Sequence, residues 1–399
     1  MGLLKLINGT IVTPYRYIQG GTIVLQDGII LGVHERDVEV PGATELDAGG
    51  RYIAPGFIDI HVHGGGGYDF MDGTPEAFLK IAELHACYGT TSLVPTTLTA
   101  ETDDLLQTLD AYETASRTNH RGAAFLGVHL EGPYFALSQR GAQDPRYIRN
   151  PDPAEYEKIL AYSSSIIRWS AAPELEGAIA FGRRLREKGI LAAVAHSDAV
   201  YEDVLTAYEN GYSLATHLYS AMSGVTRRNA FRYAGVIESA LLLDMDVEII
   251  TDGVHLPAPL LKLVYKIKGA DRTALITDAM RAAGMPAGES TLGSLKNGLK
   301  VIVEDGVAKL PDRTSFAGSV ATTNQLVRNM VNLADVSLLD AVRMASSTPA
   351  RIMGVDARKG SLAPGKDADI VIFDDQLTVY ATLVGGQLIY SSESTPQPL

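Results

Sequence analysis

Two histidines one residue apart, His61 and His63, close the apolar run GFIDIHVHGGGG (56–67). Side chains two apart in a strand share a face, so both imidazoles could meet one ion. A lone pair of this kind is also compatible with plain hydrogen bonding to backbone. Four further apolar runs end in similar chemistry: VHLEGPY in Glu131, AVAHSD in His196, LATHLYS in His217 and ALITDAM in Asp278. Imidazole and carboxylate are the ligands of catalytic zinc, or of iron and related divalent ions, with one position left for water. His61, His63, Glu131, His196 and His217 exceed what one tetrahedral ion needs, and they suffice for one or two ions sharing Glu131, an arrangement suited to hydrolysis. Asp278 reads as a general base that takes the proton of water and returns it to the leaving group, with helix capping as the alternative. His129, two before Glu131, shares its face and reads either as support for the ligands or as core. Gly64 to Gly67 would let the following loop take unusual backbone angles and come close to this rim; an ordinary flexible turn is the plainer reading.

The elements that must position these groups follow from the spacing of apolar residues. GFIDIHVH, TSLVPTT, AAFLGVHLEG, IIRWSAAPE, LAAVAHS, SLATHLYS, VEIITDG and TALITDAM are β-branched apolar runs, and segments with helical periodicity lie between them. Strands that are apolar throughout are buried on both faces. Eight strand and helix units therefore predict a (β/α)8 barrel over 56–354, with the six polar candidates gathered at the C-terminal rim where such barrels do chemistry. A doubly wound open sheet is the alternative. A β-hairpin insertion is expected near 288–312, with helices near 319–334 and 337–353. Residues 1–55 and 355–399 share a different texture of short β runs and turn signals, including Asp27-Gly28 and Gly385-Gly386. They are expected to form one small discontinuous β domain.

The whole chain sets limits on partners. Its 399 residues are 46% hydrophobic and 20% charged, an ordinary balance for a globular enzyme, and the net charge of -13 disfavours nucleic acid and anionic membranes. The single cysteine, Cys87, excludes an internal disulfide and reads as helix packing. The first residues lack the apolar length and cleavage site of a signal peptide, and no apolar run is long enough to span a bilayer, so the expected location is the cytoplasm.

The ordered set PGFIDIHVHG, HLEGPY, AHSD, THLYSAM, TDGVH and ITDAM, with GSLAPGKDADIVIFD near the end, resembles the N-acetylglucosamine-6-phosphate deacetylases of the amidohydrolase superfamily. The resemblance covers nearly the whole chain. It implies a metal-dependent barrel with a small β-sandwich built from both termini, removing acetate from a phosphorylated N-acetylhexosamine. It implies that Glu131, His196 and His217 are ligands shared across the family, that His61 and His63 match a pair only some members keep, and that Asp278 is the acid-base group. Zinc is the first expectation for the ion. Arg228, with Arg227 as the alternative, and His255 match positions that meet the phosphate, the arginine by reaching a neighbouring subunit of a homodimer. Ala142, Gln143, Ser220, Ala221, Phe316, Ala317 and Gly318 match further substrate contacts. Ser220 and Gln143 depart from the usual asparagine and histidine, and SGVTRRNAFRYAG replaces a shorter stretch, so the sugar is less firmly implied than amide hydrolysis. An N-acetylgalactosamine-6-phosphate deacetylase, a D-amino acid deacylase, a cyclic-amide hydrolase and a non-catalytic sugar-phosphate sensor are the other readings.

Overall fold

Eight parallel strands form the centre of the protein, a computed structural model that describes residues 2–393. They are β1 (Phe57–Val62), β2 (Thr90–Pro95), β3 (Val128–Glu131), β4 (Ile166–Ala171), β5 (Leu191–Val194), β6 (Tyr212–Ala215), β7 (Asp246–Ile250) and β8 (Thr273–Ile276). Each is followed by a helix: α1 (Pro75–Ala86), α2 (Thr102–Thr118), α3 (Pro153–Tyr162), α4 (Ala178–Glu187), α5 (Tyr201–Glu209), α6 (Val236–Leu242), α7 (Ala258–Lys268) and α8 (Thr323–Ala334). Strands β3 to β8 pair in sequence order, and β1 pairs with β2. The ring closes through bonds outside the regular ladders. Asp278 N–H donates to His61 O at 2.9 Å and His63 N–H to Ala279 O at 2.9 Å, joining the end of β8 to β1. Thr97 N–H to His129 O at 3.0 Å joins β2 to β3. The open-sheet alternative is thereby excluded, and the expected barrel stands.

Local chemistry explains the boundaries. The Thr74 hydroxyl accepts from Ala77 N–H at 3.3 Å and Pro75 opens the first turn of α1, a conventional start. Gly269, at φ +66°, ends α7, a conformation that costs a side chain energy and costs glycine none. Every residue of β1 and β2 is buried, as their apolar runs require.

Between β8 and α8 the insertion is larger than a hairpin. Gly288–Leu292, Leu299–Glu304, Val307–Lys309 and Phe316–Ser319 form a four-stranded antiparallel sheet. The last strand includes part of the segment expected to begin a helix, which starts instead at Thr323. Pairing explains the difference: Val307 aligns with Ser319, and Ser319 N–H donates to Asp278 O at 2.8 Å, so this strand braces the rim. After β6, a ribbon of Thr226–Arg228 and Phe231–Tyr233 projects, with Phe231 72% exposed. Strands from both ends of the chain meet in one eight-stranded sheet with its own core, including Leu6, Ile11, Ile23, Ile53, Ile370 and Leu383. Both anticipated hairpins occur there. Among the described residues no helix is long and apolar enough to cross a membrane.

Candidate active site

Strand ends deliver the six candidates to one place. His61 lies within β1 and Glu131 ends β3, while His196, His217 and Asp278 each stand two residues beyond β5, β6 and β8. Those last three have φ of +48°, +30° and +49°, left-handed values that residues with a Cβ rarely adopt. Such strain persists where surrounding structure enforces it, and here it coincides with the chemical groups. Glu131 is the hub. Its Oε1 lies 3.0 Å from His217 Nε2, 3.4 Å from His61 Nε2 and 3.5 Å from His196 Nε2. Its Oε2 lies 3.5 Å from His63 Nε2. Asp278 Oδ1 is 3.1 Å from His63 Nε2 and 3.5 Å from His61 Nε2.

The glycine loop is a fixed structure. Gly64 N–H donates to Ala279 O at 2.8 Å, and a Cβ there would lie 2.4 Å from Tyr68 O. Close backbone approach therefore requires glycine at this position. Arg281 holds the loop from outside, donating to Gly67 O at 2.8 Å and to both oxygens of Asp72.

Electrostatics favour a cation at the cluster. Burial alone would raise Glu131, but His61, His196 and His217 around it hold its carboxyl well below the ordinary range. Burial likewise opposes ionisation of Asp278, but His63, His61 and His217 together outweigh it and hold the carboxyl below its ordinary range. His63, which burial would depress, is pushed up to about 9 by Asp278 and Glu131. His61 is lowered, chiefly by burial. Buried carboxylates facing imidazole nitrogens are a divalent ion's ligand set. Two triplets have all donor atoms within 4.8 Å of one another: His61, Glu131 and His217, and His61, His63 and Asp278. His196 stands outside both triplets although it touches Glu131. Its Nδ1 is held by Gln139 O at 2.8 Å, the partner that points Nε2 inward.

Above the cluster opens a cleft of about 560 Å³, within the range of small-molecule sites. His63, Glu131, His196, His217 and Asp278 form its floor, and Ala142, Gln143, Ser220, Ala221, His255, Phe316 and Gly318 line its walls. His255 is oriented by Asp252, whose Oδ2 lies 2.6 Å from Nδ1, and it packs against Phe316. Ala317 is fully buried and does not line the cleft. Arg227 and Arg228 sit exposed on the ribbon, apart from this cleft. Gln143, expected at the substrate, spends its carboxamide on protein: Nε2 donates to Glu131 Oε2 at 2.7 Å, and Oε1 accepts from Thr99 N–H at 2.9 Å and Thr99 Oγ1 at 2.6 Å.

Several site residues were not anticipated. Lys309 and Arg313, from the inserted sheet, line the cleft, each paired with Glu304. Beneath the cluster, Arg168 of β4 and Glu248 of β7 form a fully buried ion pair. The visible signal was a charged residue within an otherwise apolar strand run. His129 belongs to this polar layer, with Nε2 2.7 Å from Ser170 Oγ and Nδ1 3.3 Å from Thr96 Oγ1, and its ring packs edge-on against His61, centroids 4.9 Å apart.

Comparison with known proteins agrees with this geometry. The amidohydrolase family model matches residues 52–389. An N-acetylglucosamine-6-phosphate deacetylase of Lysinibacillus sphaericus is 34% identical, covering 97% of this chain and 98% of its own length. An N-acetylgalactosamine-6-phosphate deacetylase of Escherichia coli O157:H7 is 35% identical, covering 95% and 97%. A solved mutant N-acetyl-D-glucosamine-6-phosphate deacetylase of Mycobacterium smegmatis, in complex with N-acetyl-D-glucosamine-6-phosphate, superposes with TM-score 0.90 at 31% identity, covering 98% of this chain and all of that one. With the barrel, the convergent histidines and carboxylates and these relatives in view, the chain belongs to the amidohydrolase family.

Proposed function

We propose that this protein hydrolyses the acetamide of N-acetylglucosamine 6-phosphate to acetate and glucosamine 6-phosphate. The observation that carries the reading is an ionised Asp278 at the floor of a sugar-sized cleft, within 3.5 Å of both His61 and His63. Glu131, His196 and His217 would hold one divalent ion and His61 and His63 a second, zinc being the first choice and iron another. Such an ion, when bound, acidifies water and polarises a carbonyl oxygen.

The chain's own groups do the remaining work. Asp278 takes a proton from the attacking water as the new C–O bond forms. It gives that proton to the nitrogen as the C–N bond breaks, so the sugar leaves as a neutral amine and Asp278 is restored. Leu98, Leu292 and Phe316 give the cleft apolar walls that limit competing water. His255, held by Asp252, and Arg228 of a neighbouring copy in a homodimer face the phosphate; the exposure of the ribbon supports that reach. A planar guanidinium suits a phosphate because it donates two parallel hydrogen bonds. Backbone near Ala142, Ser220, Ala221, Phe316 and Gly318 meets the sugar. The sheet built from both ends of the chain belongs to a separate β-sandwich domain, the rest is the catalytic barrel, and the enzyme works in the cytoplasm.

The 35% identity to the galactosamine enzyme favours one second reading, the epimeric sugar. Amine release from N-acetylated glucosamine and galactosamine, each with and without 6-phosphate, tests both. Release from the gluco phosphate above all others is expected. No release from any sugar would refute deacetylation, and equal rates without phosphate would remove the role given to Arg228 and His255.

A further inference from the structure

Arg168 and Glu248 have no place in the cleft, yet both are 0% exposed inside the barrel. Taking two charges out of water is costly even when they pair, and an apolar pair of similar volume would pack as well. The geometry shows what the charges can accomplish. Arg168 grips Glu248 with two nitrogens, Nη1 on Oε1 and Nη2 on Oε2 at 2.8 Å. Its remaining bonds go to Thr216 Oγ1 at 2.9 Å and to Ile60 O at 3.1 Å. Ile60 directly precedes His61, so the pair holds the strand at that residue. The fixed carboxylate then presents Oε2 to His61 Nδ1 at 3.6 Å, slightly beyond hydrogen-bond range. Among the described residues His61 Nδ1 has no hydrogen-bond partner, although the ring is fully buried.

Two of the other three histidines of the cluster supply the comparison, whereas His217 Nδ1, like that of His61, is buried with no hydrogen-bond partner among the described residues. His63 Nδ1 has Thr96 O at 3.2 Å and His196 Nδ1 has Gln139 O at 2.8 Å. Each carbonyl accepts an Nδ1–H and leaves the lone pair on Nε2, toward Glu131. At His61 the corresponding oxygen is a carboxylate, a stronger acceptor that makes the imidazole a better donor to an ion. We propose that Glu248, fixed by Arg168, is the positioning residue of His61: it accepts Nδ1–H and so aims the Nε2 lone pair at the ion shared by His61 and His63. This rests on the metal-centre reading above. The Glu131, His196 and His217 position does not depend on it.

The test measures zinc stoichiometry and affinity by chelator competition in wild type, in Glu248→Gln and in the apolar double variant Arg168→Met with Glu248→Leu. Folding is followed by thermal melting. The His61 tautomer of the ion-free proteins is read from nitrogen-15 spectra. Loss of a hydrogen-bonded partner of a metal ligand weakens ion binding by about 10- to 100-fold. The double variant should therefore keep one tight ion, weaken the second by that factor and lose the single Nδ1–H tautomer even where it melts like wild type, whereas Glu248→Gln, whose amide oxygen still accepts Nδ1–H, should keep the tautomer and weaken the second ion less. Wild-type affinity for the second ion in the folded double variant, with the tautomer unchanged, would overturn the proposal and leave the pair a packing element. Wild type holding fewer than two ions would contradict the two-ion reading instead, and the tautomer comparison alone then decides the role of Glu248.

Discussion

Replacing Gln143 by leucine separates two roles for a residue that lines the cleft. In the structure its carboxamide is engaged by protein at both ends: one hydrogen on Glu131 Oε2 at 2.7 Å and its oxygen on two donors of Thr99. Gln143 and Thr99 are 5% and 6% exposed, so water cannot readily replace what is removed. Losing a hydrogen bond to a charged group costs about 1.5–3 kcal/mol, and stranding a buried donor costs about 1–3 kcal/mol more. Gln143→Leu should thus destabilise the ion-free protein by about 4 kcal/mol. It should also weaken ion binding, because Glu131 loses the bond that sets its plane. Urea unfolding of the ion-free protein and a zinc titration read the two effects separately. A variant with unchanged stability and ion affinity but a raised KM would refute this reasoning and return Gln143 to the substrate.

Other outcomes follow from the same geometry. Asp278→Asn, compared at equal measured ion content, should lower kcat by about 10²- to 10⁴-fold, the usual worth of acid-base catalysis, whereas near wild-type turnover would remove its assignment. Gly64→Ala places a Cβ 2.4 Å from Tyr68 O and 2.9 Å from Arg281 N, both backbone atoms, so it should cost about 1–3 kcal/mol in thermal or urea unfolding; a neutral effect would show that the loop yields. His63 is raised to about 9 in the ion-free protein, chiefly by its Asp278 and Glu131 contacts overcoming burial. A raised folded-state value means that its stabilisation is complete below about 6.5 and is lost as pH rises through about 9. The ion-free protein should accordingly lose on the order of 3 kcal/mol between those limits, measured by urea unfolding at several pH values. A flat profile across that window would contradict the assignment.

Much of the barrel, and the strand-end groups that it brings together, was legible in the sequence, and the reason is physical. A strand buried on both faces is apolar along its length, so a polar residue at its end stands out, as His61, Glu131 and His217 do. What resisted reading depends on which strands face each other. Arg168 and Glu248 are 80 positions apart, and only the closed barrel turns β4 and β7 toward one another. Each charge in its apolar run was visible, but its partner was not. Gln143 eluded the reading differently: a loop residue lining the cleft carries no sequence mark of the side chain it bonds. The fourth inserted strand, Phe316–Ser319, is held by Val307–Lys309 and the rim, while its own residues resemble a loop. Arg228 remains apart from the cleft of its own chain, and its proposed reach belongs to an assembly of two copies.

The most direct test of the central claim is acetate release from N-acetylglucosamine 6-phosphate by the purified protein as prepared, after stripping with a chelator, and after zinc is restored. The account predicts turnover as prepared, loss on stripping in step with ion content, and recovery on reloading. Full turnover with the ions removed, or no acetate at any ion content, would contradict it.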